Sequence, residues 1–156
     1  MLKKDLKSEL FWGACSHELL KQKISELGIE KNVYISGFLS ELEYAAALEL
    51  TDVVVNLRYP SMGESSATLC EAMIYGKPII VSDIKQYKEY PDEVCWKLPV
   101  GRKEVELLEA YLEYMIQNPN ICKVMGENAA NYAGQVLSPD KIALLYYKYI
   151  SNAEKC

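Results

Sequence analysis

Apolar and polar positions change period along this chain in a way that predicts strands alternating with helices. Short apolar runs predict strands at 9–15, 32–37, 52–57, 78–83 and 93–100. Between them, apolar residues spaced three and four apart predict helices at 16–28, 40–51 and 66–76. The run "DVVVNL" is almost continuously β-branched, which predicts a strand buried on both faces.

Capping signals support these helices. Ser16 stands where an N-cap belongs, and Gly28 and Gly76 follow the last periodic residues, where a left-handed stop is expected. Ser40 and Glu43 have the spacing of a capping box. The helix boundaries are therefore predicted by local chemistry as well as by period.

The character of the chain changes after Gly101. Three helical segments are predicted at 103–117, 119–135 and 138–152, separated by Asn-Pro and Ser-Pro pairs that put a proline near the start of a helix. Strands alternating with helices imply a parallel sheet covered on both faces. We therefore predict a single α/β domain over residues 1–156, a Rossmann-like parallel sheet with a helical tail.

Composition excludes several classes of protein. The chain has 156 residues, 50% of them apolar, which is enough to bury a core, and a net charge of −5 gives no basic surface for nucleic acid. No apolar run approaches the roughly 18–20 residues of a spanning helix, and the first fifteen residues lack the apolar stretch of a signal peptide. Five scattered cysteines and one histidine disfavour a metal site and predict reduced thiols in a cytoplasmic protein.

The stretch "GESSATLCEAM" (63–73) carries more polar chemistry than a strand-to-helix connection requires. Ligands of doubly wound folds bind outside the carboxyl ends of the strands, and 58–66 is the longest loop at that edge. A helix N-terminus offers free amides and a partial positive charge to a phosphate. Ser65, Ser66, Ala67 and Thr68 would supply those amides together with hydroxyls.

Two carboxylates flank this predicted phosphate site. Glu71 lies about 5 Å further along the helix axis on the same face as Ala67 and Thr68, an offset that suits a ribose attached to a diphosphate. Glu64 precedes the helix, where the group carried by the phosphate would lie. In the alternative interpretation neither carboxylate binds a ligand: Glu71 is a solvated helix residue, and Glu64 interacts with the helix dipole. Spacing alone leaves both interpretations open.

The segment "GFLSELEYAAALELTDVVVNLRYPSMGESSATLCEAMIYGKPIIVSD" resembles the donor-binding half of retaining, two-domain glycosyltransferases of the glycogen-synthase and sucrose-synthase type. Within them it is similar to a bacterial subgroup with an L-R-Y-P-x-x-G-E-[ST]-S motif. The similarity continues through "YPDEVCWKLPVG" and "MGENAANYA", and so covers nearly all of the chain from about Phe11. The resemblance implies the C-terminal half of the GT-B architecture.

The resemblance also implies roles for residues. Glu71 matches the second glutamate of the family's E-x7-E motif, which binds the ribose, and Ala67 and Thr68 match positions whose amides meet the diphosphate. It implies transfer of a sugar from a nucleoside-diphosphate sugar without a metal or a resident cofactor. The chain departs from the motif at Gly63, which occupies the position of the first glutamate, so that Glu64 comes one residue late.

A second departure concerns missing segments. We expect the 156 residues to lack two parts of the family's enzymes, the opening strand of the donor half with its basic residue and the N-terminal acceptor domain, and so to be a fragment that is inactive alone. Arg58 is a candidate replacement for the basic residue, or else a surface partner of Glu64. Leu39 is a candidate wall for the base, or else a packing residue. Unpaired strand edges and an apolar stripe on the last helix predict association of the fragment as a homodimer.

Two other functions fit the same residues. One is a non-catalytic module that binds a nucleotide sugar. The other is a nucleotide-sugar epimerase of similar architecture, which would need acid–base residues around the sugar that the single histidine, His17, hardly supplies.

Overall fold

A computed structural model gives the fold of residues 8–10 and 17–153, which fall into two compact units that divide between Ala46 and Ala47. In the first unit, β1 (Ser8–Leu10) pairs in parallel with β2 (Val33–Ile35), and α1 (His17–Leu27) connects them. β1 overlaps the predicted strand at 9–15, whose remainder lies outside the described residues, as does the predicted cap Ser16. The helix α2 (Glu41–Leu50) begins in this unit.

The second unit contains a parallel sheet of three strands in the order β3-β4-β5. Its elements follow the predicted alternation and then the predicted helical tail, with both prolines at the first position of their helices. In chain order they are β3 (Val54–Asn56), α3 (Ala67–Ile74), β4 (Ile79–Ser82), a 3-10 turn (Lys85–Tyr87), β5 (Trp96–Leu98), α4 (Glu104–Gln117), α5 (Pro119–Val136) and α6 (Pro139–Ala153). The predicted α/β fold class is confirmed.

Helices cover both faces of this sheet. On one face, Ile79 and Val81 of β4 pack with the buried residues Leu69 and Met73 of α3 and with Ala129 of α5. On the other face, Ile80 and Leu98 pack with Met115 of α4 and Met125 of α5. The α5 helix therefore contributes to both hydrophobic clusters. All four residues of β4 are buried, as expected for the central strand of a covered parallel sheet.

The prediction that 52–57 is buried on both faces was wrong. Val55 is 43% exposed. β3 is the edge strand of the three-stranded sheet in the described part of the chain, and α4, which covers that face, packs over β5 at the other edge. Its β-branched run therefore reflects strand propensity more than burial.

The predicted caps are confirmed where the structure describes them. Gly28 and Gly76 both adopt positive φ, and each ends its helix with the paired hydrogen bonds of a Schellman motif. The Ser40 amide donates to the Glu43 carboxylate over 2.9 Å, and the Glu43 amide donates to Ser40 Oγ over 3.4 Å. This reciprocal pair is the predicted capping box.

The α6 helix is exposed along most of its length. Residues 141–150 are all exposed, including the predicted apolar stripe of Tyr146, Tyr149 and Ile150. Within the described ranges, no helix is both long and apolar enough to cross a membrane.

Candidate functional site

The loop between β3 and α3 is fixed at both ends by hydrogen bonds to buried serines. Asn56, the last residue of β3, donates through Nδ2 to Ser66 Oγ over 2.9 Å. The backbone amide of Arg58 donates to Ser82 Oγ at the end of β4, also over 2.9 Å. Ser66 and Ser82 are 1% and 0% exposed. The sheet therefore holds the loop at its carboxyl edge, where doubly wound folds bind their ligands.

Ser66 is the N-cap of α3. Its Oγ accepts a hydrogen bond from the Leu69 amide over 3.3 Å, and its carbonyl accepts the first helical bond, from Cys70. The amides of Ala67 and Thr68 have no hydrogen-bond acceptor within the described residues, so they are open to a bound anion.

The α3 helix has one buried, packing face and one exposed face. Leu69, Ala72 and Met73 are buried against the sheet, whereas Ala67 and Glu71 are exposed and share a face because they lie four residues apart. The carboxylate of Glu71 is thus accessible about one helical turn beyond the open amides.

Glu64 is held by its own loop. Its Oε2 accepts hydrogen bonds from the Ser61 hydroxyl over 3.1 Å and from the Met62 amide over 2.9 Å. Its Oε1 lies 3.6 Å from Arg58 Nη1. Gly63, which precedes it, has a φ of 91°, a conformation that favours glycine. Glycine at this position therefore supports the turn that brings Glu64 back onto the loop.

The environment of Glu64 favours its charged form. A hydrogen bond from its own backbone amide, followed by those from Ser61 and Met62, lowers the pKa of Glu64, and the Arg58 guanidinium adds to the effect, while partial burial acts in the opposite direction. The carboxylate is therefore ionised near neutral pH and can accept hydrogen bonds from hydroxyl groups.

The structure brings most of the predicted site residues together on one loop and one helix. Arg58, Gly63, Glu64, Ser65, Ser66, Ala67, Thr68 and Glu71 all lie on the β3–α3 loop or the exposed side and start of α3. Arg58 and Glu64 form the ion pair that was the alternative to a donor role for Arg58. Leu39 is half-buried in the other unit, next to the fully exposed Phe38, and the side chain of His17 lies outside the described residues.

Sequence reasoning assigned no individual role to four polar residues of the candidate site. Asn56 and Ser82 anchor the loop, and Ser61 and Gln86 extend the hydrogen bonds around Glu64. A usable signal existed for the first two, since each is a polar residue that ends an apolar strand at the ligand-binding edge. Gln86 lies on the loop that follows β4 at the same edge of the sheet, but its residue type alone indicates no contact with the β3–α3 loop.

An open cleft elsewhere in the second unit includes none of the predicted residues. It lies beside β5 and α4 and is lined chiefly by Trp96, Tyr111, Tyr114 and Asp92. The rings of Trp96 and Tyr111 pack edge to face, with centroids 5.3 Å apart, as part of the core margin. The β3–α3 loop, with open amides and carboxylates, is the better candidate for a ligand site.

These features define an α/β protein that offers helix-terminal amides and carboxylates at the carboxyl edge of a parallel sheet, an arrangement suited to a phosphate-bearing ligand. The model of the family "Glycosyl transferases group 1" matches residues 13–132. The chain therefore belongs to the glycosyl transferases group 1 family. The L-R-Y-P-x-x-G-E-[ST]-S subgroup within it stays a prediction.

One curated relative supports this assignment. Over 140 residues the chain is 33% identical to the MMP alpha-(1->4)-mannosyltransferase of Mycolicibacterium hassiacum, covering 85% of this chain and 33% of that protein. The chain thus spans about a third of the length of that curated relative.

Solved structures show the same fold. Sucrose-phosphate synthase from Thermosynechococcus elongatus matches with a TM-score of 0.76 and 18% identity, over 96% of this chain and 39% of that one. HepE from Anabaena, crystallised with UDP-glucose, matches with a TM-score of 0.73 and 20% identity, over 86% of this chain and 36% of that one. The fold is accordingly the Rossmann-like fold of the GT-B glycosyltransferases.

Proposed function

We propose that the chain is the donor-binding part of a retaining glycosyltransferase that takes a sugar from a nucleoside-diphosphate sugar. The observation that carries the proposal is the start of α3, where the amides of Ala67 and Thr68 are open and Glu71 is exposed one turn further on. A diphosphate binds those amides, and the ribose attached to it reaches Glu71. Membership of the family supports sugar transfer as the reaction.

In this scheme the residues act by electrostatics and positioning. The departing diphosphate gains negative charge in the transition state, and the α3 amides and the Ser65 and Thr68 hydroxyls stabilise that charge. The Arg58 guanidinium adds a cation beside the same loop. Glu71 accepts hydrogen bonds from the ribose hydroxyls, and Glu64 orients the donor sugar. The nucleoside-diphosphate sugar is the substrate, and no resident cofactor or metal enters the scheme.

The acceptor is proposed to bind outside these 156 residues, in an N-terminal domain of a longer enzyme. The short share of the mannosyltransferase that the chain spans supports this division. We therefore propose that residues 1–156 act as a single donor-binding domain that is inactive alone, since positioning of an acceptor contributes several orders of magnitude to such a rate. The exposed apolar residues of α6 support the accompanying proposal of a homodimer of the isolated chain.

Binding measurements test the donor site. We expect the chain to bind UDP or GDP weakly in calorimetry or ligand-observed NMR, and Glu71→Ala to weaken that binding by about 1–3 kcal/mol, because the ribose hydroxyls lose a charged acceptor. Inorganic pyrophosphate, which has no ribose, should bind the variant and the parent equally. Glu113→Ala, at an exposed glutamate of α4, is the matched control. Equal affinity of Glu71→Ala and the parent for every nucleotide tested would remove Glu71 from the site.

A further inference from the structure

The Ser61 hydroxyl lies at the centre of a hydrogen-bond chain that joins two loops. Gln86, on the 3-10 turn after β4, donates through Nε2 to Ser61 Oγ. Ser61 Oγ lies 3.1 Å from Glu64 Oε2, and the Gly63 amide donates to Ser61 Oγ over 3.3 Å. Glu64 is therefore connected through one hydroxyl to a residue 22 positions later in the chain.

The chemistry of these groups fixes which group donates in each bond of the hydrogen-bond chain. A serine hydroxyl has one proton and two acceptor lone pairs, and an ionised carboxylate only accepts. The single proton of Ser61 therefore points to Glu64, and both lone pairs receive donors, one from Gln86 and one from the Gly63 amide. The amide of Gln86 must then present its nitrogen to Ser61, as it does. Every hydrogen-bonding position of this hydroxyl is filled, so its orientation is set.

Gln86 is itself held by the core. The next residue, Tyr87, is 1% exposed, belongs to the larger hydrophobic cluster, and donates its backbone amide to the Ile84 carbonyl over 2.9 Å. The Gln86 side chain is half-buried between this turn and the loop. Glu64, in contrast, is on an exposed loop. The hydrogen-bond chain therefore links the exposed Glu64 carboxylate to a turn that Tyr87 anchors in the core.

We propose that Gln86 is a positioning residue for the Glu64 carboxylate, acting through Ser61, and that it sets the part of the donor affinity that depends on the sugar. The inference rests on the proposed function, in which Glu64 meets the donor sugar and the α3 amides meet the diphosphate. Gln86 touches neither of those amides, so its loss affects recognition of the sugar and leaves recognition of the nucleotide intact.

The test compares two affinities on the 156-residue chain. Calorimetry or ligand-observed NMR gives the dissociation constants of UDP and UDP-glucose, and of GDP and GDP-mannose; the tighter-binding pair is then used with each variant. Gln86→Ala should reduce the advantage of the sugar nucleotide over the plain diphosphate by about three- to tenfold, while the plain diphosphate binds within about twofold of the parent. Gln135→Ala, at an exposed glutamine of α5, is the matched control.

Two further variants separate positioning from a general structural effect. Gln86→Glu should reduce the advantage of the sugar nucleotide more than Gln86→Ala does, because the new carboxylate accepts the Ser61 proton and repels Glu64. Ser61→Ala should reduce the advantage of the sugar nucleotide as much as Gln86→Ala does. The double variant should lose no more of that advantage than either single variant, as expected for residues of one hydrogen-bond chain. A general loss of folding would instead weaken both ligands and lower the melting temperature.

The outcomes are distinguishable. If the parent binds no nucleoside diphosphate, the proposed function fails and the inference falls with it. If the plain diphosphate binds but the parent gains nothing from the sugar, or the gain is unchanged in Gln86→Ala and Gln86→Glu, only the inference is overturned. A selective loss of the sugar-dependent gain, larger for Gln86→Glu, supports it.

Discussion

A methyl group added at Gly126 would test how closely α5 approaches the end of α3. Gly126 is a buried residue of α5, and a Cβ built there would lie 2.0 Å from the Gly76 carbonyl oxygen and 3.0 Å from the Gly76 carbonyl carbon. Both obstructing atoms are backbone. The Gly76 carbonyl cannot turn away cheaply, because Gly76 has a φ of 62° and its Schellman hydrogen bonds close α3.

The clash in Gly126→Ala is therefore relieved only by moving α5 away from α3. That movement opens the contact among Leu69, Met73 and Ala129, all fully buried. Overpacking of this kind destabilises by about 1–3 kcal/mol, and we expect the upper part of that range even after the gain of about 1 kcal/mol in helix propensity. For a chain of this size the melting temperature should fall by about 5–10 °C.

Gly134→Ala, on the same helix, is the control. A Cβ at Gly134 meets nothing within 4 Å, so only the propensity gain applies, and stability should stay level or rise by up to about 1 kcal/mol. Thermal and urea unfolding followed by circular dichroism measure both variants. If Gly126→Ala is as stable as Gly134→Ala, the close approach of α5 to the end of α3 is wrong.

Two further predictions concern buried groups. The hydroxyl of Tyr87 is buried with no hydrogen-bond partner among the described residues, so Tyr87→Phe should leave the free energy of unfolding unchanged or raise it by about 1 kcal/mol; a marked loss would reveal a partner. Burial raises the pKa of the Cys95 thiol to about 11, so Cys95 should resist thiol reagents in the folded protein at pH 8. Cys70 and Cys122, in contrast, are only half-buried. Because this pKa is raised on folding, the stability that Cys95 contributes is present below its unfolded pKa of about 8.5 and declines as the pH rises toward 11. Labelling of Cys95 as fast as in the unfolded chain would contradict the prediction.

Local signals in the sequence predicted the elements of this fold well. Helix ends at Gly28 and Gly76, the Ser40–Glu43 capping box and the proline starts of α5 and α6 each depend on residues within a few positions of one another. Such signals can be recognised from the sequence alone, because they involve only neighbouring residues. Residues near the start of α3 could be grouped for the same reason, because they lie on one loop and one helical turn.

Features that depend on strand order and helix contact could not be read in this way. The exposure of Val55 follows from the edge position of β3, which the run of β-branched residues does not reveal. The bond from Arg58 to Ser82 joins residues 24 positions apart, and exists because β3 and β4 are neighbours in the sheet. The need for glycine at Gly126 likewise arises only from where α5 meets α3.

The position of α5 has a consequence for how the second unit opens. Since Met125 packs into the cluster on one face of the sheet and Ala129 and Ala133 into the cluster on the other, neither face can lose its packing without disturbing the same helix. The two faces should therefore open together, and the amides of β4 should exchange with solvent deuterium only through this shared event. The Arg58–Glu64 loop packs into neither cluster and is held by hydrogen bonds to Ser82 and Gln86, so it can adjust around a ligand without disturbing α5.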